Sequence, residues 1–410
     1  MNIVDIVPCE LFELAKLFPK ESHLYVVGGF IRDYLVFNTQ SSDIDICASL
    51  TPDELQKILK ESKFKLFEAS PRLGTMIIRG ERSYEYTTFR KDSYPKENGV
   101  HSPEDVVFTK DIIQDAKRRD FKCNAIYFDL NLKEIYDPLQ GVKDVSKKEI
   151  STVVDPNIVL SQDGLRIMRL VRMVSKLDFS VQESTLDAAN CLKNRMKDIS
   201  VERIQVELEK ILEGTYVYKA LCLMDELNLF EIILPELIVI KDKQDLLFRI
   251  VEKCPTKMRL AALFSSLEKE NIRKILHRLK FSNEKIAYIT EVAGAQNCHI
   301  EEEKNIEILQ KFVVENVENI EDIILLQNII NEVEKKEITN NLEVQYNLMK
   351  KENLPLRMKE LKIDGKDVQK YGYKGKEIGN VLNEIFCDCY MGKLENKREN
   401  LIERLEKRGK

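Results

Sequence analysis

The β-rich runs of this 410-residue chain all lie before residue 150, and that asymmetry constrains the fold more than any other feature. HLYVVGG, DIDICASL, TMIIRG, SYEYTTF and NAIYFDL are short, rich in β-branched and aromatic residues, and separated by turn formers. Helical patterns interrupt them, notably Pro52 to Ser62, where Thr51 is placed to cap the first turn. From about Leu160 the strand signal ends, and long amphipathic stretches such as GLRIMRLVRMVSKL and VERIQVELEKILE take over. The chain is therefore expected to be α+β. A mixed α/β head covers 1–150, and all-helical segments follow over 151–215, 216–340 and 341–410.

Composition removes several classes. Hydrophobic residues are 43% and charged residues 32%, which fits a globular chain and excludes wholesale disorder. No run approaches about 18 consecutive apolar residues, so no membrane helix is expected. The amino terminus carries acids early and lacks a basic segment before an apolar one, unlike a secretory signal. Nine cysteines, an odd number with no CxxC pair, read as reduced thiols of a cytoplasmic protein. A net charge of -5 excludes a uniformly basic coat for nucleic acid but leaves room for a local basic groove. Residues 301–337 are acidic, with 11 acids against 4 bases, and residues 391–410 are basic, with 7 against 4.

The chemistry concentrates between Tyr25 and Leu50. The apolar LYVV runs into Gly28-Gly29 and then into FIRDYL, a helical start. Glycines let backbone approach a ligand closely, and free N–H groups at a helix N-terminus favour an anion. Taken alone, a Gly-Gly turn before a helix is an ordinary feature. It is followed by Asp43-Ile44-Asp45 on a second apolar run. Residues two apart on a strand share a face, so the two carboxylates repel each other and call for a counter-charge. Mg²⁺ suits that need, because it takes carboxylate oxygen together with substrate phosphate. An isolated pair of acids sits as easily on a solvated strand, but the upstream glycine turn favours the metal.

Gly-Gly, a short helix and Asp-x-Asp resemble the polymerase-beta-like nucleotidyltransferases, which use two metal ions in nucleotidyl transfer. A third carboxylate is expected on a later strand, with Glu85 the candidate. Further motifs follow in order: RRDFKCNA from Arg118, DPLQG from Asp137 with Asp144, and QDGLRIMRLVR from Gln162. Together these are similar to the class II tRNA nucleotidyltransferases, the CCA-adding enzymes, and to their bacterial poly(A) polymerase relatives. The resemblance is continuous from about Tyr25 to Glu213, with a weaker echo in LKIDGKDV and GKLENKRENLIERL.

That resemblance implies a nucleotidyltransferase head followed by a nucleotide-recognition neck, a body and a tRNA-binding tail. It implies addition of C, C and A to the 3′ end of tRNA from CTP and ATP. Asp43 and Asp45 would be catalytic metal ligands, with Glu85 beside them. Gly28, Gly29, Arg32 and Arg119 would contact the nucleotide. Asp163 and Arg166 would read the base, and Arg169 and Arg172 would take triphosphate or base contacts. A physical reason supports the reading pair. Asp accepts from an exocyclic amine while Arg donates to a ring nitrogen or carbonyl, a pattern that cytosine and adenine meet better than uracil or guanine. Asp163, Arg166, Arg169 and Arg172 also recur every third residue, drifting slowly around one helix face. The chain departs from the family pattern at Gln162, where Glu is usual, at Lys122-Cys123 for Thr-Ile, and at Gly164 for Pro.

The polar stretch Arg90–Pro103 matches the family's flexible loop, whose presence accompanies the switch from C to A, and so favours complete CCA addition over CC-only or A-only activity. A poly(A) polymerase usually carries a longer basic extension. An inactive RNA-binding relative would have lost one of Asp43 and Asp45. MRLAALFSSLEKE has serine where a His-Asp pair would stand in relatives with a phosphohydrolase domain. In the helical remainder, Lys374 and Lys376 flank Gly375 before a helix and are candidates for RNA phosphate contacts, or simply solvated lysines at a helix break. Oligomeric state is open.

Overall fold

The computed structural model describes residues 2–39, 43–94, 105–237 and 244–408. The chain divides into two compact units, Met1–Val239 and Ile240–Lys410. The first is built on a mixed sheet. Its strands are β1 (Tyr25–Val27), β2 (Asp45–Ala48), β3 (Lys65–Ser70), β4 (Thr75–Arg79) and β5 (Ser83–Thr88), then β8 (Tyr127–Asp129) and β9 (Glu134–Tyr136). Between them, β6 (Arg90–Ser93) and β7 (Asp105–Phe108) pair with each other antiparallel. The sheet order is β3-β4-β5-β2-β1-β8-β9, with β2 parallel to β5 and the other neighbours antiparallel.

The five β-rich runs form β1, β2, β4, β5 and β8. The edge strands β3 and β9 are largely exposed, so their sequences lack the apolar alternation that marks a half-buried strand. A further parallel pair, Glu149–Ile150 with Ser180–Val181, lies partly beyond the point where the strand signal ends. Two residues are too few to show a period.

Period-2 alternation divides the sheet. Val26, Ile46, Ile78, Tyr84, Tyr86 and Phe128 face one side, where they pack with Leu11, Leu14, Phe30, Ile31 and Leu55 as the main core. Each fully buried aliphatic side chain there contributes about 1.5–3 kcal/mol. Val27, Cys47 and Tyr127 face the other side and pack in a smaller cluster with Phe89, Ala116, Ala125, Val153 and Val159. The helix Pro52–Leu59 is closed by a capping box: Glu54 N–H donates to Thr51 Oγ1, and Thr51 N–H donates to Glu54 Oε2 over 2.8 Å.

After the head come the helices Pro156–Gln162, Leu165–Leu177, Glu183–Leu192, Val201–Glu213 and Val217–Glu226. The described residues of the second unit form helices and turns, including Asn283–Gly294, Ile306–Glu315, Ile320–Val333, Lys376–Tyr390 and Arg398–Arg408. No helix among the described residues is long and apolar enough to cross a membrane.

Candidate active site

Asp45 opens β2 two residues before Cys47, so it projects to the side of the sheet that carries the smaller core. There a cleft of about 880 Å³ opens. Gly28, Gly29, Arg32, Asp43, Asp45, Arg119, Asp163, Arg166, Arg169 and Arg172 all line it. Residues far apart in sequence thus converge because β1, β2 and the Leu165–Leu177 helix border one space. Ten basic side chains line the cleft against seven acidic ones, so its walls favour an anion.

Gly28 turns the chain from β1 into the helix Gly29–Phe37 with φ +79° and ψ -130°, a region that side chains strain to enter. A Cβ there would sit 3.8 Å from a carboxylate oxygen of Asp45 and 3.9 Å from Nη1 of Arg119. The open helix terminus, one acid and one guanidinium therefore border the same point.

Val27 and Glu85 are both register partners of Asp45, on the antiparallel and parallel sides respectively. Glu85 is exposed and does not line the cleft, but its charge reaches Asp45. The Asp45 side chain is open to solvent while the cleft walls crowd it. That desolvation first, then the charges of Asp43 and Glu85, push its carboxyl up to about 6, against the opposing pull of Arg119 and Arg169. Asp43 and Asp45 thus offer hard carboxylate oxygen to the cleft, with the charge of Glu85 behind Asp45 adding to the repulsion.

Along the cleft wall runs a chain of hydrogen-bonded polar and charged side chains. Lys176 Nζ donates to Asp33 over 2.7 Å, and Arg32 Nη2 donates to the other oxygen of Asp33 over 2.6 Å. Arg32 Nη1 reaches Asn124 Oδ1 at 2.5 Å, and Asn124 Nδ2 donates to Asp120 over 3.0 Å. Arg169 Nε donates to the second Asp120 oxygen over 2.7 Å. Burial alone would raise the Asp120 carboxyl, but Arg169 and Asn124 hold it well below the ordinary range. Nearby, Arg118 and Arg119 share the buried Asp115, which also accepts from Tyr127 over 2.8 Å. Such networks fix the guanidinium planes before any ligand arrives.

The periodic run Asp163, Arg166, Arg169, Arg172 is not one continuous helix. Asp163 is extended at φ -148° and ψ 109°, between Pro156–Gln162 and Leu165–Leu177, and its Oδ1 accepts from the N–H of Leu165 over 3.0 Å. Gly164, which stands where the family pattern has proline, fits because a Cβ there would meet the carbonyl of Arg195 at 2.9 Å. Arg166 is buried. Its Nη1 donates to Val159 O at 2.9 Å and Gln162 Oε1 at 2.7 Å, and its Nη2 donates to Arg118 O at 2.9 Å. Gln162, despite lacking the usual carboxylate, thus still holds the arginine.

Several lining residues were not singled out in the sequence, namely Arg203, Lys176 and Lys210, while Tyr94 belongs to the Arg90–Pro103 stretch. Arg203 Nη2 donates to Asp163 Oδ2 over 2.6 Å, and Glu207, four residues on, accepts from Arg172 over 3.0 Å. The available signal was the spacing of Arg203, Glu207 and Lys210 along one side of an amphipathic helix, with Glu207 buried beside its apolar face. Tyr94 lies 5.8 Å from the Arg166 guanidinium. The rest of the Arg90–Pro103 stretch, residues 95–104, falls outside the described residues.

Lys374 and Lys376 belong to the second unit and are exposed at the start of Lys376–Tyr390, where Gly375 has φ +55°. Much of the basic C-terminal run is paired internally: Arg398 with Asp367, Arg404 with Asp388, Arg408 with Glu384.

Residues 24–151 match the family described as the poly A polymerase head domain. Residues 178–240 match a probable RNA and SrmB-binding site of polymerase A, and 256–405 a putative tRNA nucleotidyltransferase domain 2. The chain is 31% identical over 419 residues to the CCA-adding enzyme of Staphylococcus haemolyticus, covering 96% of this chain and 97% of that one. It is 40% identical over 220 residues to the CCA-adding enzyme of Anoxybacillus flavithermus, about half of each, at 53%. In fold it is similar to the Bacillus stearothermophilus CCA-adding enzyme in complex with CTP, with a TM-score of 0.74, 24% identity and coverage of 97% and 96%. It is also similar to the Thermotoga maritima CCA-adding enzyme complexed with tRNA, at 0.68, 22%, and 99% and 97%.

Proposed function

The chain belongs to the family of CCA-adding enzymes, and on that premise we propose how its cleft extends the 3′ end of tRNA by C, C and A from CTP and ATP, releasing pyrophosphate. The observation that carries the reading is the meeting of the Gly28 turn, the Asp43–Asp45 pair and the Asp163–Arg166 pair in one cleft.

In this reading the triphosphate rests against the Gly28-Gly29 turn and the N-terminus of Gly29–Phe37, with Arg32, Arg119, Arg169 and Arg172 countering its charge. Arg119 and Arg169 are already oriented by Asp115 and Asp120, so little ordering is lost on binding. Asp43 and Asp45, with Glu85 behind Asp45, would hold Mg²⁺; the crowding that lifts the Asp45 carboxyl is what a divalent cation relieves. When bound, such a cation lowers the pKa of the attacking hydroxyl and neutralises charge on the leaving pyrophosphate.

Base choice falls to Asp163 and Arg166. A guanidinium carries five N–H donors, and the three hydrogen bonds of Arg166 leave Nε–H and one Nη2–H for a base edge. Those donors suit the ring nitrogen and carbonyl of cytosine or the ring nitrogen of adenine. The Asp163 carboxylate accepts from the exocyclic amine.

The same reading keeps a catalytic head over 1–150, a neck over 151–215, a body over 216–340 and a tRNA-binding tail over 341–410, in which Lys374 and Lys376 meet RNA phosphate. The protein works in the cytoplasm, with its thiols reduced. The test supplies each labelled nucleotide separately to tRNA transcripts that lack CCA, end in CC, or are complete. Sequential C, C and A with arrest at the complete end supports the reading. Open-ended adenylate addition to any RNA would replace it with a poly(A) polymerase.

A further inference from the structure

A second cluster of metal-ligating side chains lies in the Ile240–Lys410 unit. One donor atom each from His299, Glu301 and Glu302 lies within 4.8 Å of the other two. All three sit in a tight pair of single-turn helices, Gln296–Cys298 and Ile300–Glu302, joined at His299 with φ 46°. His299 and Glu301 also line a cavity of about 270 Å³ between the helices that follow and precede them.

Two observations point to a missing partner. Glu301 is buried, yet its carboxylate makes one long hydrogen bond among the described residues, from Gln327 Nε2 at 3.4 Å, and His299 Nδ1 stands off at 3.8 Å. Lys336 lines the same cavity, but its ammonium is taken by Glu334 at 2.7 Å. A carboxylate removed from water without a close counter-charge is costly. Independently, Gln296 lines this cavity and is 8% exposed. Its Nε2 is committed to the carbonyls of Val292 and Ile323, which leaves Oε1 buried with no hydrogen-bond partner. A buried carbonyl-type oxygen without a donor calls for one, or for a cation.

We propose that His299, Glu301 and Glu302, with Gln296 Oε1 as a fourth donor, form a binding site for a first-row divalent cation of the Zn²⁺ type. One imidazole nitrogen and two carboxylates suit Zn²⁺ better than Mg²⁺. Ligand atoms around a tetrahedral Zn²⁺ lie about 3.4 Å apart at bond lengths of about 2.1 Å. Closing the remaining gap would fall to the exposed His299 and Glu302 side chains, since Glu301 and Gln296 are buried. The cation would fasten the Gln296–Glu302 turns to the helix Ile320–Val333, which supplies Gln327 and lines the cavity. It has no part in nucleotidyl transfer.

The test uses the full-length protein, stripped by chelation and then dialysed against Zn²⁺ with Mg²⁺ in large excess. Bound zinc is measured by elemental analysis and the melting temperature is followed in parallel. The wild-type chain should hold one Zn²⁺ that Mg²⁺ does not displace, with a rise in melting temperature. His299→Asn, which keeps a side chain tolerant of the left-handed backbone, and Glu301→Gln should each weaken that binding at least tenfold. CTP incorporation in Mg²⁺ should stay unchanged. Absence of stoichiometric zinc in the wild type overturns the site. So does zinc held equally by both variants, which would place it on thiols. Because His299 is exposed, its variant remains informative if Glu301→Gln fails to fold.

Discussion

Arg203 Nη2 donates to Asp163 Oδ2 over 2.6 Å, although 40 residues separate them in sequence. The contact ties the helix Val201–Glu213 to the break between two others, and Asp163 Oδ1 is meanwhile held by the N–H of Leu165. Both carboxylate oxygens of Asp163 are therefore held in place, which orients the group for the base contact proposed for it.

Removing one of them should loosen base choice. A hydrogen bond to a charged group contributes about 1.5–3 kcal/mol, less where solvent screens it, and the Arg203 side chain is 41% exposed. Arg203→Ala should lower kcat/KM for CTP and ATP by about tenfold and raise UTP misincorporation, with tRNA affinity changed less. Equal fidelity in the variant would mean that Arg203 acts on the helix alone. Asp163→Ala should relax discrimination further, without altering Mg²⁺ dependence.

Asp43→Ala and Asp45→Ala should each abolish addition of C and of A alike while leaving tRNA binding intact. Asp43 and Asp45 line the same cleft as Asp163 and Arg166 but are proposed to serve the metal rather than the base, so the loss should fall on both nucleotides alike. Incorporation above a few per cent of the normal rate by either variant would remove both from the metal role.

The Asp45 carboxyl gives a pH signature. Its pKa is raised from the ordinary 3.8 to about 6, so ionising it costs the folded state more than the unfolded one. Without metal, stability falls as pH rises from about 4 to about 6 and then levels. Asp45→Asn should therefore raise the melting temperature of the metal-free protein at pH 7.5, an advantage that disappears below pH 4. Mg²⁺ competes with that proton. Its apparent affinity should drop about tenfold per pH unit below 6 and be flat above 7. A midpoint near 4 would show that neither burial in the cleft nor the charges of Asp43 and Glu85 perturb Asp45.

The head was readable because its signals are local. The strands β1, β2, β4, β5 and β8 alternate or run apolar, the Gly28 turn needs a backbone that glycine adopts, and the Asp-x-Asp spacing marks two acids that both line the cleft, although β2 begins only at Asp45 and Asp43 precedes it rather than sharing a strand face. What escaped was set by partners distant in sequence. Edge strands β3 and β9 are held by backbone pairing and carry no apolar period. The break at Asp163 hides inside an unbroken helical pattern, because a two-residue interruption shifts the apparent phase little. Arg203, Lys176 and Asn124 each look like ordinary surface or turn residues until Asp163, Asp33 and Asp120 are brought to them. The basic C-terminal run reads in sequence either as a source of RNA contacts or as a solvated face, and in the structure Arg398, Arg404 and Arg408 are paired with Asp367, Asp388 and Glu384.

The hairpin of β6 and β7 leads to the last prediction. Arg90 Nε donates to Asp92 over 2.9 Å, and its Nη1 donates to the carbonyl of Leu73, which anchors the root of the Arg90–Pro103 stretch. Just beyond, the Tyr94 ring lies 5.8 Å from the Arg166 guanidinium, within reach of a cation–π contact of about 0.5–1 kcal/mol. In the proposed reading one pocket accepts cytosine twice and then the larger adenine, which requires a small shift of Arg166 between steps. A side chain at the end of a polar segment that leans on Arg166 is a lever for that shift. Tyr94→Ala should slow A addition to a tRNA ending in CC several-fold more than it slows the first C. Deleting Ser93 to Gly99 should leave two cytidines added at near-normal rate and then stall, even with ATP in excess. Equal slowing of both steps would make the segment a general clamp on substrate. Untouched A addition would reduce it to a connector and remove the main sequence argument for completing CCA.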